Sequence, residues 1–170
     1  HRGIRLIHTN ENWFRNGLPV GQKAHQRKFG GQASEHCLGS CVIAASSCVI
    51  QQDLFADVGF FDESLKACED CDLWLRICAC EPVVLLDEAL VARHAGHSGQ
   101  LSQSSNNLDR YRIRTLCKII RSGVLTHDQR KLAENTLQQK TRIHAASPMK
   151  RERRYEAAKY RSIVAALINA

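Results

Sequence analysis

Apolar and polar positions alternate in two different textures along the chain. From the N-terminus to about residue 105, short apolar runs of strand length are separated by Gly, Asn and Asp, which predicts strands and turns. From Leu108 onward the apolar residues recur at helical spacing. In the first region, Ile4 to Thr9 predicts a strand and Trp13 to Arg15 a second, short one, with Asn16-Gly17 as a hairpin turn. Gln22 to Gln32 is polar, basic and glycine-bearing, the composition of a loop. Cys41 to Ile50 contains a buried strand, and Gln52 to Val58 a short helix that Gly59 closes. Cys68 to Cys80 predicts an amphipathic helix with Leu73, Trp74 and Ile77 inward. Glu69, Asp70 and Asp72 crowd its first turn, where the helix dipole favours negative charge. Val83 to Leu86 and Ala89 to Arg93 predict two further strands, followed by a Gly/Ser/Gln loop from Ala95 to Ser105.

Three helices are expected after that. Leu108 to Arg121 carries Ile113, Leu116, Cys117 and Ile120 on one stripe, with Gly123 as its stop. Thr126 and Gln129 have the spacing of a capping box for the next helix, whose apolar positions are Leu132, Leu137 and Ile143 and which ends before Pro148. The last helix runs from about Lys150 to Ile168. The fold class is therefore α/β, with residues 1–105 as one body and 106–170 as a helical appendage.

Composition narrows the setting. The chain has 170 residues, of which 44% are apolar, enough for a sizeable core. No run of about 18 apolar residues predicts a membrane span. Arg2, Arg5 and His8 break up any signal-like stretch. The sequence opens at His1 directly into a strand-like segment, so the expectation is a fragment of a longer product. Eight cysteines invite two readings. Cys68-x-x-Cys71 with Cys78-x-Cys80 superficially resembles a zinc site, but the helix through these positions does not bring four thiolates to one metal. Reduced thiols, some packed as small hydrophobes, fit better and favour a cytoplasmic setting. The formal net charge is +7, and much of it lies in Lys150, Arg151, Arg153, Arg154, Lys159 and Arg161. Such a segment is a solvated helix face or a weak contact for anionic lipid.

The most informative stretch is Val58-Gly-Phe-Phe-Asp-Glu-Ser-Leu65, followed by Glu69-Asp-Cys-Asp-Leu-Trp-Leu-Arg76. It resembles family 2 of the GT-A glycosyltransferases, whose acceptor half carries V-G-x-F-D-E-x-L and then E-D-x-D-L-W-L-R. Cys71 departs from that pattern, where the family usually has tyrosine. The resemblance implies the second half of a GT-A, Rossmann-like domain. It implies sugar transfer with inversion from a nucleoside-diphosphate donor to a hydroxyl of a saccharide or lipid-linked acceptor. Asp70 takes the role of catalytic base, with Glu69 beside it. Asp72 and Trp74 are placed at the substrate, as are Ser46 and Ser47, which end a strand near the donor sugar. A divalent cation, Mn2+ or Mg2+, is expected for the leaving diphosphate. His97 is the histidine that the resemblance places near that metal, with His94 as the alternative.

The family's own metal-binding D-x-D lies upstream of the residues matched here, so the chain alone is expected to be inactive. Two rival readings are a zinc-binding interaction module built on the cysteines and a basic module for nucleic acid or a membrane surface. No nucleic-acid reading motif is present, and aromatics are few, so nucleic acid is not an expected partner.

Overall fold

The computed structural model describes residues 3–96, 108–146 and 151–168. The chain divides into two compact units, residues 1–106 and 107–170. The first is mixed α/β and the second is helical.

Strand β1 (Leu6–Arg15) organises the first unit. It is one continuous ten-residue strand, where the sequence predicts two short ones. The polar residues Asn10, Glu11 and Asn12 that suggest a break are carried through it, because both flanking stretches are held by partner strands. Asn16 and Gly17 form the expected two-residue turn, both with positive φ (51° and 79°), and return the chain into β2 (Leu18–Val20).

At its start, β1 pairs antiparallel with β3 (Cys48–Ile50). Along residues 7–15 it pairs in parallel with β4 (Val84–Ala95). The expected strands at 83–86 and 89–93 are thus one strand. The register shifts around Asn10 account for the sequence break: Asp87 and Glu88 are extra residues opposite a shorter stretch of β1.

Two further differences concern the segments between strands. The loop expected at 22–32 leads into a short helix, α1 (Ser34–Gly39), which buries Ser34, Cys37 and Leu38. Residues 41–47 are irregular with a single 3-10 turn at Ala45–Ser47, and only Cys48–Ile50 is extended. Val42 and Ile43 are nevertheless core residues, so their apolar run reflects burial without strand pairing.

Helix α2 (Leu54–Val58) ends at Gly59, whose φ of 80° and ψ of 168° lie in a region open to glycine. Helix α3 (Glu69–Cys80) is the core helix of this unit, with Leu73, Trp74, Leu75, Ile77 and Cys78 buried.

In the second unit, α4 (Leu108–Ser122) buries Ile113, Leu116, Cys117 and Ile120 as its periodicity predicts. Gly123, at φ 71°, follows it. Helix α5 (His127–Ala146) starts at a reciprocal capping box: the Gln129 N–H donates to Thr126 Oγ1 (3.3 Å), and the Thr126 N–H donates to Gln129 Oε1 (2.9 Å). Its inner stripe differs from the expected one. Ile143 is exposed, while Ala133, Thr136, Leu137, Thr141 and His144 are buried. The two threonines can be buried because each hydroxyl donates to a carbonyl one turn back, at 2.8 Å in both cases. His144 meets the ring edge of Tyr160 on α6 (Arg151–Ile168). No helix among the described residues is long and apolar enough to cross a membrane.

Candidate functional site

The acidic turn of α3 is built by an unusual residue. Cys68, at the N-cap, has left-handed backbone angles (φ 61°, ψ 21°), which cost about 1–2 kcal/mol for a side chain other than glycine. Glu69 and Asp70 follow, both half-buried. Asp70 Oδ1 accepts the Cys71 backbone N–H at 2.7 Å, which satisfies one donor of the helix start. Its other oxygen, Oδ2, accepts the Cys41 thiol at 3.5 Å. The carboxylate is thereby fixed while remaining partly open to solvent.

Cys41, Asp70 and Cys71 each present a ligand atom, all within 4.8 Å of one another. They are the one group among the described residues with metal-holding geometry. The Cys71 thiol hydrogen-bonds with both Cys41 and Cys68, and the Cys41 bond together with burial pushes its pKa upward. The cysteine pattern 68/71/78/80 does not converge. Cys78 instead lies in the core with its sulfur 3.5 Å from that of Cys37, and Cys80 is exposed.

Asp72 and Trp74, expected at the substrate, are closed off from solvent, each about 1% exposed. They project about 200° apart around the helix axis, and both are enclosed because α3 is buried nearly all round from Cys71 to Leu75. Asp72 is the partner of Arg76, whose Nε and Nη2 reach Asp72 Oδ2 at 3.0 and 2.9 Å. The same guanidinium donates to the carbonyls of Val58, Gly59 and Phe60. The two motif segments, V-G-x-F-D-E and E-D-x-D-L-W-L-R, are therefore clasped to one another, with Arg76 as the pin. Trp74 Nε1 is buried with no hydrogen-bond partner, and nothing in the structure explains that.

Ser46 is exposed. Ser47 is buried and accepts a hydrogen bond from Lys28 Nζ at 2.7 Å. Lys28, itself buried, also stands 3.4 Å from Glu11 Oε1. Desolvation lowers the Lys28 pKa, and the Glu11 charge opposes that shift. Trp13 Nε1 donates to Glu11 Oε2 at 3.1 Å, and the Arg93 guanidinium lies over the Trp13 ring. Glu11 and Lys28 also border a cleft of about 560 Å³ shared with Asn10, Lys23, Arg27 and Asp87.

Sequence reading passes over both residues. Glu11 stands in a polar run that looks like a turn, and Lys28 stands in a segment that looks like a loop. Two buried opposite charges on sequence-distant segments leave no local pattern.

His97 lies outside the described residues, as does most of the loop that carries it. His94 is on β4, exposed, with its ring stacked on Phe14. In the helical unit, a second cleft of about 670 Å³ is lined by Arg114, Lys118, Arg121 and Lys159 beside Tyr160 and Ile163.

No family model, curated protein or solved structure matches this chain.

Proposed function

We propose that the chain is the acceptor-side half of an inverting, family 2-like GT-A glycosyltransferase, with Asp70 as its base. The observation that carries this reading is the Asp70 carboxylate. It is held at the start of α3 by the Cys71 N–H and the Cys41 thiol, yet is only half-buried. A base must be rigid and must still reach an incoming hydroxyl. The clasp of Asp72 and Arg76 onto residues 58–60 adds support, since it gives the two halves of the resemblance one architectural purpose.

In the proposed reaction the acceptor hydroxyl oxygen attacks the anomeric carbon of a nucleoside-diphosphate sugar. The bond from that carbon to the diphosphate oxygen breaks, and the hydroxyl proton passes to Asp70. Attack from the face opposite the leaving group inverts the anomeric centre. On this reading Glu69, half-buried in the same turn, orients Asp70 or binds an acceptor hydroxyl.

The expected Mg2+ or Mn2+ has no fitting site among the described residues. The one metal-capable cluster contains two thiols, and these hard cations take oxygen ligands.

The acceptor on this reading is a saccharide, free or lipid-linked. If the acceptor is lipid-linked, the exposed Lys159 and Arg161 of α6 attract the anionic surface that carries it, by about 1 kcal/mol per basic residue, weakened by salt.

The test uses the complete gene product that carries this chain. Release of nucleoside diphosphate is followed across a panel of sugar nucleotides, with wild type and Asp70→Asn in parallel. The variant is expected to lose about 10²–10⁴-fold in turnover while keeping donor affinity. A folded variant with wild-type turnover would refute the assignment of the base.

A further inference from the structure

The thiols around Asp70 form a cluster that the proposed sugar transfer does not use. Cys41 comes from the irregular segment after α1, while Cys71 and Asp70 come from the first turn of α3. The fold thus brings together donors about thirty residues apart in sequence.

Their spacing suits a small tetrahedral ion. A zinc ion about 2.3 Å from sulfur and about 2.0–2.1 Å from oxygen sets those two ligand atoms about 3.5 Å apart. Cys41 Sγ and Asp70 Oδ2 are 3.5 Å apart here, and all three ligand atoms fall within 4.8 Å. Cys68 stands beside them. Its thiol hydrogen-bonds with that of Cys71 but lies outside the group within 4.8 Å, so it would have to rotate to become a fourth ligand. Two or three thiolates with one carboxylate are a soft donor set, selective for Zn2+ over Mg2+ or Mn2+.

We propose that Cys41, Asp70 and Cys71, completed by Cys68, form a Zn2+ site. Binding replaces thiol protons with metal–sulfur bonds. With Cys41, Cys68 and Cys71 as thiolates, about three protons leave to solvent per ion bound, and affinity falls as pH falls. The ion ties the 41–47 segment to the start of α3. A further consequence rests on the reading of Asp70 as base: a carboxylate coordinated to Zn2+ cannot take a substrate proton, so Zn2+ occupancy inhibits transfer.

The test is a Co2+ titration of the reduced, metal-free chain, with Co2+ as the spectroscopic probe for Zn2+. One Co2+ per chain is expected, with thiolate-to-cobalt charge-transfer absorption that Zn2+ abolishes on displacement. Cys41→Ser and Cys71→Ser should each weaken binding by more than roughly tenfold, since even outer partners of a metal site are worth 10–100-fold. Cys80→Ser, at an exposed position apart from the cluster, should leave it unchanged. Should the serine variants fail to fold, the wild-type chain alone decides through alkylation mapping. Zn2+ should protect the half-buried Cys41 from iodoacetamide and leave the exposed Cys80 reactive. Absence of thiolate charge transfer, unchanged Co2+ affinity in Cys41→Ser, or an unprotected Cys41 would overturn the site. None of these readouts depends on transferase activity. Conversely, turnover of Asp70→Asn in zinc-free buffer tests the base alone.

Discussion

Replacing Arg76 with methionine tests the clasp between the two motif segments. The substitution keeps an apolar stem but removes the guanidinium. The Asp72 carboxylate, about 1% exposed, then loses the cation that faces it at 2.9–3.0 Å. Breaking a buried ion pair from one side costs about 3–5 kcal/mol. Arg76 itself retains some exposure, 16%, which places this pair at about 3 kcal/mol, the lower end of that range. The bonds to the Gly59 and Phe60 carbonyls are exposed, so water replaces them, and with the loss of the part-buried bond to the Val58 carbonyl they add about 1 kcal/mol in all.

The expected total is about 4 kcal/mol for the first unit. The chain has two tryptophans, Trp13 and Trp74, and both are in that unit. Urea unfolding followed by tryptophan fluorescence therefore reports on it selectively. With a denaturant slope of about 2 kcal/mol per molar, the midpoint should fall by roughly 2 M. The double variant Asp72→Leu/Arg76→Met should be much less unstable than the sum of the two single changes, because both charges are then gone. A loss under about 1 kcal/mol, or strict additivity, would refute the clasp as a stabilising element.

Other outcomes follow from the same contacts. His8 is buried and donates from Nε2 to the Phe29 carbonyl at 2.8 Å, while its Nδ1 has no partner. Protonation would bury an unsatisfied N–H, and desolvation accordingly lowers the His8 pKa below the ordinary 6.5. The unfolded chain binds that proton more readily, so stability of the first unit is full above about pH 6.5 and falls as pH drops towards the lowered value. His8→Gln should flatten this slope in fluorescence-detected unfolding between pH 7 and 5. An unchanged slope would assign the dependence to other groups. In the helical unit, Thr126→Ala removes one half of the capping box and should cost about 1 kcal/mol in circular-dichroism melts. Gln129→Ala removes the reciprocal bond, so the two changes together should cost less than their sum.

The helices were largely legible in the sequence because their signals are local. Period, capping residues and glycine stops suffice for α3, α4 and the start of α5. The sheet was less legible. The polar stretch 10–12 reads as a gap, yet strand pairing from residues 84–95 carries β1 through it. Pairing is a non-local property, and so is the burial of Glu11 against Lys28. In the same way, the acidic turn of α3 announces itself at Glu69 and Asp70. The proximity of Cys41, thirty positions earlier, leaves no trace in the spacing. Asp72 and Trp74 belong to the same motif as Asp70 but are enclosed where α3 is buried nearly all round. A motif therefore mixes residues that hold a site with residues positioned to act in it.

On the proposed reading, Asp70 takes the proton of an acceptor hydroxyl. The most direct measurement is single-turnover sugar transfer by the complete gene product, comparing wild type with Asp70→Asn at saturating sugar nucleotide in zinc-free buffer. Inverted product is expected from the wild type and a rate lower by about 10²–10⁴-fold in the variant, with sugar-nucleotide affinity unchanged. Equal single-turnover rates in a folded Asp70→Asn enzyme would contradict it.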